Sequence, residues 1–241
     1  MGRKKQLFEK NASEPFKLSR SKIDLFLNCP RCFYLDRKLG ISAPGSFPLT
    51  LNNAVDCLLK KEFDAYRCKK MPHPLMKTAG VNAVPLESDK LKGWQDFHNG
   101  LQYLDTKHNL LIYGAPDDVW VNADGEYIVA DYKATSTDKE ITLDDGWKIA
   151  YKRQVEIYQW LLKKNGFKVN DKAYFVYANA LVNENNFNSQ LKFDIKILGY
   201  DGNTDWIESK IEEIYQCLCS NTVPKASQCP MCNYTERVAN I

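Results

Sequence analysis

Apolar residues recur at helical spacing over residues 19–38, 51–67, 147–164 and 204–220, and these four stretches are predicted as helices. Shorter β-branched or alternating runs at 117–122, 126–133, 173–180 and 190–198 are predicted as strands. In the last of them Leu191, Phe193, Ile195 and Ile197 alternate with polar residues, the pattern of a strand with one buried face. An Ala-Asp-Gly turn at Ala123 to Gly125 makes 117–122 and 126–133 a hairpin. Ser21 and Asp24 are placed as a capping box for the first helix, and Gly40 stops it. The helix over 204–220 is amphipathic, with its apolar positions between Trp206 and Ile214, and Pro224 follows it. Between these elements, Ile41 to Pro48 reads as a connection, Cys68 to Lys92 as an irregular excursion, and Asp138 to Gly146 as an acidic loop. Residues 1–17 read as a flexible, basic arm.

Composition narrows the class. With 241 residues and 44% apolar content, the chain suits one α/β domain over 18–241. No apolar run approaches the roughly 20 residues of a membrane helix. A net charge of +3 does not by itself argue for a polyanionic partner. Basic clusters at Arg3 to Lys5, Arg20 to Lys22, Arg37 to Lys38 and Lys152 to Arg153 are ordinarily solvated faces, and they would contact phosphates only if the site chemistry asks for it.

Eight cysteines add a second signal. Four stand in two Cys-Pro-x-Cys pairs, Cys29 with Cys32 and Cys229 with Cys232; the others are Cys57, Cys68, Cys217 and Cys219. A Cys-x-x-Cys turn presents two thiolates to one metal, and two such turns complete a tetrahedral set. Closing both pairs on one metal would join the N-terminal segment to the C-terminal one and tie down the tail. Disulfides are the competing expectation, ranked lower because no signal peptide is seen and a reducing, cytoplasmic compartment is expected.

The candidate chemistry lies in YGAPDDVWVNADGEYIVADYKAT, residues 113–135. Side chains alternate along a strand, so Asp131 and Lys133 share a face and Tyr132 points away. Asp117 stands on the partner strand, and two carboxylates meeting there would suit Mg²⁺ or Mn²⁺, with the Tyr132 backbone carbonyl as a further oxygen ligand. An ammonium group beside them would stabilise charge developing at a phosphoryl group, as phosphodiester hydrolysis requires. Taken singly, Asp117, Asp118 and Lys133 are more often turn, surface or strand-end residues. Gln154 and Tyr158, at i and i+4, share a helix face.

Four segments together resemble the RecB-like branch of the PD-(D/E)xK nuclease superfamily. Gly114 to Asp117 matches its GxxD element, Asp131 and Lys133 its DxK, and Gln154 with Tyr158 its QxxxY, while LSRSKIDLFLNCPRCFYL at 18–35 is similar to its N-terminal helix. The resemblance implies a restriction-endonuclease-like core, a central mixed sheet flanked by helices, with Asp117, Asp131, Lys133, Gln154 and Tyr158 catalytic. In one place the chain departs from the pattern: Asn52 and Asp56 fall where the branch has a Gly and a metal-ligating His, so Asp56 becomes a candidate ligand, with Glu62 a second candidate on that helix. CRISPR-associated adaptation nucleases and AddB-type helicase-nucleases of this branch hold a [4Fe-4S] cluster, which Cys29, Cys229 and Cys232 match in part. Cys32 would supply the fourth thiolate, and structural Zn²⁺ is the alternative. The implied activity is metal-dependent cutting of DNA, on single strands or ends, in repair, recombination or CRISPR adaptation, with a helicase or integrase as partner. The rival expectation is a catalytically silent nucleic-acid-binding module that keeps the fold and the cysteine site.

Overall fold

The computed structural model describes residues 6–45 and 49–241. The basic cluster at Arg3 to Lys5 and residues 46–48 of the predicted connection lie outside the described residues. In chain order the elements are β1 (Phe16–Ser19), α1 (Arg20–Asn28), α2 (Pro30–Arg37), α3 (Thr50–Arg67), α4 (Pro74–Thr78), β2 (Ala83–Pro85), α5 (Leu91–Trp94), β3 (Leu101–Asp105) and β4 (Leu110–Gly114). They continue with β5 (Asp118–Asn122), β6 (Tyr127–Thr135), α6 (Ile149–Lys164), β7 (Lys172–Ala180), β8 (Phe193–Asp201), α7 (Trp206–Cys219) and α8 (Pro230–Ala239). Among the described residues no helix is long and apolar enough to cross a membrane.

The described residues form two compact units. The larger takes in residues 49–101 and 114–204. Its five-stranded mixed sheet runs β2-β5-β6-β7-β8, with β5 antiparallel to β6, β6 parallel to β7, and β7 antiparallel to β8. Gly125, at φ +72, closes the β5–β6 turn in a backbone region that favours glycine. Both faces of β6 are covered, as a parallel pair flanked by helices requires. On one face Ile128, Ala130 and Tyr132 pack with Leu59 and Phe63 of α3 and Met76 of α4. Phe63 anchors that layer, stacked at 5.6 Å on Trp120 and 4.4 Å on His73. Alternation turns Val129, Asp131 and Lys133 to the other face, where α6 lies.

The smaller unit takes in residues 6–45, 102–113 and 205–241. Its sheet runs β1-β4-β3, with β1 parallel to β4. The helix predicted over 19–38 is divided. Pro30 has no N–H to donate and disfavours helical geometry in the residue before it, so Cys29 is extended at φ −160 and becomes the cap of α2. Ser21 and Asp24 make no capping box; Ser19 precedes the helix without a side-chain cap bond. Within the described part of the arm expected over 1–17, two aromatic residues are anchored while most of their neighbours are exposed. Phe8 and Phe16 are buried, Arg37 lies 4.8 Å above the Phe16 ring, and Phe8 N–H donates to the Arg37 carbonyl at 2.9 Å.

Three further differences share a cause in short, weakly periodic sequence. The excursion at 68–92 contains α4, β2 and α5, with β2 pairing along β5. Strands β3 and β4 and helix α8 were not anticipated. The strand predicted from 190 begins at Phe193, after Asn188 and Ser189 take positive φ in the preceding turn.

Candidate active site and thiolate centre

Asp117 sits one residue ahead of the β5–β6 ladder, whose first pair is Asp118 opposite Ala130. The next position across from Asp117 is therefore Asp131. The Tyr132 N–H donates to Asp117 Oδ2 at 2.9 Å, and the Asp117 carbonyl accepts from Gln95 Nε2 at 2.6 Å. Asp131 is fully buried and its carboxylate is ion-paired with the Lys133 ammonium. Lys133 Nζ also donates to Gln154 Oε1 at 3.4 Å and lies 4.6 Å from the Tyr151 ring centre. Gln154 Nε2 in turn donates to the Tyr158 hydroxyl at 3.2 Å. Lys133, Gln154 and Tyr158 thus form one hydrogen-bonded chain along α6, at the i, i+4 spacing read from the sequence.

From α3 comes a second cation that sequence reading missed. Lys60 Nζ pairs with Asp56 Oδ2 at 2.8 Å and with Asp117 Oδ1 at 3.4 Å. The Asp56–Lys60 pair was visible as an i, i+4 spacing, but its reach to Asp117 needed the tertiary fold. Asn52, one turn earlier, donates to the Ala134 carbonyl at 3.0 Å and fixes this helix against β6. Glu62 turns elsewhere and pairs with His73 at 2.9 Å.

The charges act on one another. Burial pushes the Asp56 carboxyl up, as does the Asp117 charge, and the pull of Lys60 and Lys133 does not cancel this. Burial alone would lower the Lys133 ammonium, yet Asp131 and Asp117 outweigh it and hold the group protonated. Lys60 behaves likewise, with burial opposed by Asp117 and Asp56.

The adjacent Asp118 has a different environment. It is buried and accepts from Arg67 Nη2 at 2.6 Å, Val119 N–H at 2.8 Å, Trp120 Nε1 at 3.0 Å and the Tyr132 hydroxyl at 2.9 Å. A carboxylate with four donors is a satisfied core group. Asp117, Asp131 and Asp56 each offer hard oxygen donors of the kind that suit a divalent cation, but among the described residues they are not gathered into one donor set as the cysteines below are.

The smaller unit holds a separate donor set. The Sγ atoms of Cys29, Cys32, Cys229 and Cys232 all lie within 4.8 Å of one another. Cys29 and Cys232 are 3.7 Å apart, Cys32 and Cys229 3.6 Å, and Cys32 and Cys232 3.8 Å. Each pair is built the same way. A cysteine caps the helix that its proline begins, and its sulfur accepts from the N–H three residues on, at 3.3 Å in α2 and 3.4 Å in α8. All eight cysteines are unbridged in the structure. Burial pushes the Cys32 and Cys232 thiols up, and a bound cation would reverse that by favouring the thiolates. Four soft donors converging in this way can hold a metal.

A mixed sheet carrying paired carboxylates and a lysine at the end of one hairpin defines a class of phosphodiester-cutting proteins. The family model described as the PD-(D/E)XK nuclease superfamily matches residues 51–237, and the chain belongs to that superfamily. Nuclease activity, hydrolysis with divalent metal, follows as the family's chemistry. No curated protein matches the sequence. Among solved structures, the crystal structure of SSO0001 is similar at 16% sequence identity over 89% of this chain and 82% of that chain, with a TM-score of 0.37.

Proposed function

We propose that the protein is a Mg²⁺- or Mn²⁺-dependent deoxyribonuclease of the RecB-like branch, akin to the CRISPR-associated and AddB-type nucleases and acting on single-stranded DNA or DNA ends. The observation that carries this reading is the Lys133 ammonium held against Asp131, with Asp117 hydrogen-bonded to the intervening peptide at Tyr132. Asp117 and Asp131 would hold the cation, with Asp56 and the Tyr132 carbonyl completing its oxygen donors. When bound, it would polarise the phosphoryl oxygen and favour deprotonation of the attacking water. Lys133 remains charged and places a positive group where negative charge builds up on the phosphoryl oxygens. Gln154 orients Lys133 through one end of its amide and Tyr158 through the other. Lys60 steadies Asp56 and Asp117 against their mutual repulsion.

For the thiolate centre the spacing favours one ion. Zn–S bonds of about 2.3 Å set the sulfurs of a tetrahedron about 3.8 Å apart; three of the six separations here are 3.6–3.8 Å and all lie within 4.8 Å. A four-iron cluster puts an iron inside each thiolate and needs a wider set. We therefore read the site as structural Zn²⁺ in preference to the cluster that the family resemblance alone would favour. Repair, recombination or CRISPR adaptation, in a cytoplasmic setting and with a helicase or integrase partner, are the settings that this relationship makes natural.

The test is incubation of labelled single- and double-stranded DNA with Mg²⁺ or Mn²⁺, beside Lys133→Ala. Cutting by the wild type and its loss in the variant is expected; equal cutting by both would refute the assignment. Binding without cutting would favour the silent module. A colourless protein containing zinc agrees with the thiolate reading, and a brown one absorbing in the visible overturns it.

A further inference from the structure

Beyond Lys133 the larger unit opens into a cavity of about 390 Å³. Lys133 forms part of its lining, together with Trp147, Lys148, Tyr151 and Tyr177. The size lies within the range of small-ligand pockets. Its rim is built rather than loose. Asn179 donates to the Thr137 carbonyl at 3.0 Å and accepts from the Thr137 N–H at 2.9 Å, while Ser136 donates to the Ala180 carbonyl at 3.1 Å.

Three observations define the ligand. First, the Tyr177 side chain is 2% exposed, and its hydroxyl is buried without a hydrogen-bond partner among the described residues. A buried orphan of this kind is unusual and calls for a partner. Burial, helped by nearby Tyr151, Asp131 and Asp145, pushes this phenol up, so it stays a donor at neutral pH. Second, the two interior cations are already engaged. Lys133 is paired with Asp131, and Lys148 with Asp145 at 2.8 Å and the Thr142 carbonyl. The pocket is therefore poorly suited to an anion such as a second phosphate. Third, Trp147 lines the cavity while 63% exposed, its ring edge-on to Tyr151 at 5.4 Å and with Lys148 Nζ 5.3 Å from its centre. An indole standing in solvent beside a second aromatic ring is a platform for a flat heterocycle.

We propose that this cavity receives one unpaired nucleobase of the substrate, stacked on Trp147 and hydrogen-bonded to the Tyr177 hydroxyl, next to the phosphate held at Lys133. The assignment rests on the nuclease reading above and deepens it by assigning a subsite for one base of that substrate. In a duplex both faces of each base are covered, leaving none for Trp147. The enzyme then takes single strands, or an end whose last base has left the stack.

Fluorescence anisotropy with labelled oligonucleotides, in chelator so that nothing is cut, tests this on the full chain. Trp147→Ala is expected to weaken single-strand binding roughly 5- to 150-fold, the span of one lost base stack, while duplex binding stays unchanged. An oligonucleotide scanned with single abasic residues should show one position where the wild type loses affinity and Trp147→Ala does not. Tyr177→Phe should keep stacking and change which base is preferred at that position. Unchanged single-strand affinity in Trp147→Ala overturns the proposal, as does an abasic scan that is flat or alike in both proteins. If the wild type cuts DNA with metal but Trp147→Ala binds normally, the pocket assignment falls and the nuclease reading stands. If Trp147-dependent binding is present but no metal supports cutting, the reverse holds.

Discussion

The two units are held together by different chemistry. In the larger one, Phe63, Trp120, Tyr132 and Met76 form a dense apolar layer beneath the sheet, and the polar site is fitted onto a framework that already closes. The smaller one has a three-stranded sheet and four helices drawn from three separate stretches of chain. Its last helix, α8, has a single buried residue, Cys232, so what fixes it is the thiolate set. One unit is apolar at heart and is proposed to use metal for chemistry. The other has too little core around its last helix and is proposed to use metal for cohesion.

Metal removal should expose this difference most strongly. Structural zinc contributes on the order of 10 kcal/mol in small domains. Cys32→Ser with Cys229→Ser, or a zinc-selective chelator, is expected to raise hydrogen exchange across α2 and α8 and leave β6 and β7 protected. Equal loss of protection in both sheets would dissolve the contrast. Lys133→Ala comes next, with cutting expected to fall roughly 10²- to 10⁴-fold while the metal content of the thiolate site stays constant.

Neighbouring aspartates sharpen the point within one unit. Asp118→Asn leaves the buried Arg67 with only the exposed Asp64 as an anionic partner and should cost up to about 3–5 kcal/mol in denaturant unfolding. Asp117→Asn should abolish cutting with a much smaller change in stability. Reversed results would exchange the structural and chemical roles assigned to the two residues.

The smallest effect concerns the smaller unit and pH. Lys107, with Gln216 and His108 assisting, holds the Glu212 carboxyl down at about 2, against an ordinary value of 4.5. A depressed carboxylate adds stability that is fully present above 4.5 and is lost as pH falls through about 2. Glu212→Gln should flatten the unfolding midpoint of the smaller unit across that window, and a variant with an unchanged acid slope would remove Glu212 from the account.

Much of the site was legible because its signals are local. Asp131 and Lys133 share a face by alternation, Gln154 and Tyr158 by helical repeat, and each Cys-Pro-x-Cys pair is a helix start that any chain would form. What escaped depends on distant partners. The GxxD element singles out Asp117 over Asp118, but that Arg67 from α3 makes Asp118 a core group and that Lys60 on the same helix reaches Asp117 came only with the fold. The hairpin β3–β4 and the buried Phe8 were missed because short apolar runs gain their burial from neighbours far along the chain.

The amino-acid order by itself determined periodicity, turns and thiol pairs, because backbone geometry converts spacing into direction within a few residues. The three-dimensional arrangement decided which carboxylate is buried, where Lys60 reaches, that four sulfurs converge, and that a cavity opens beside Lys133. Burial and charge pairing depend on everything within a few ångströms, and those neighbours come from all parts of the chain.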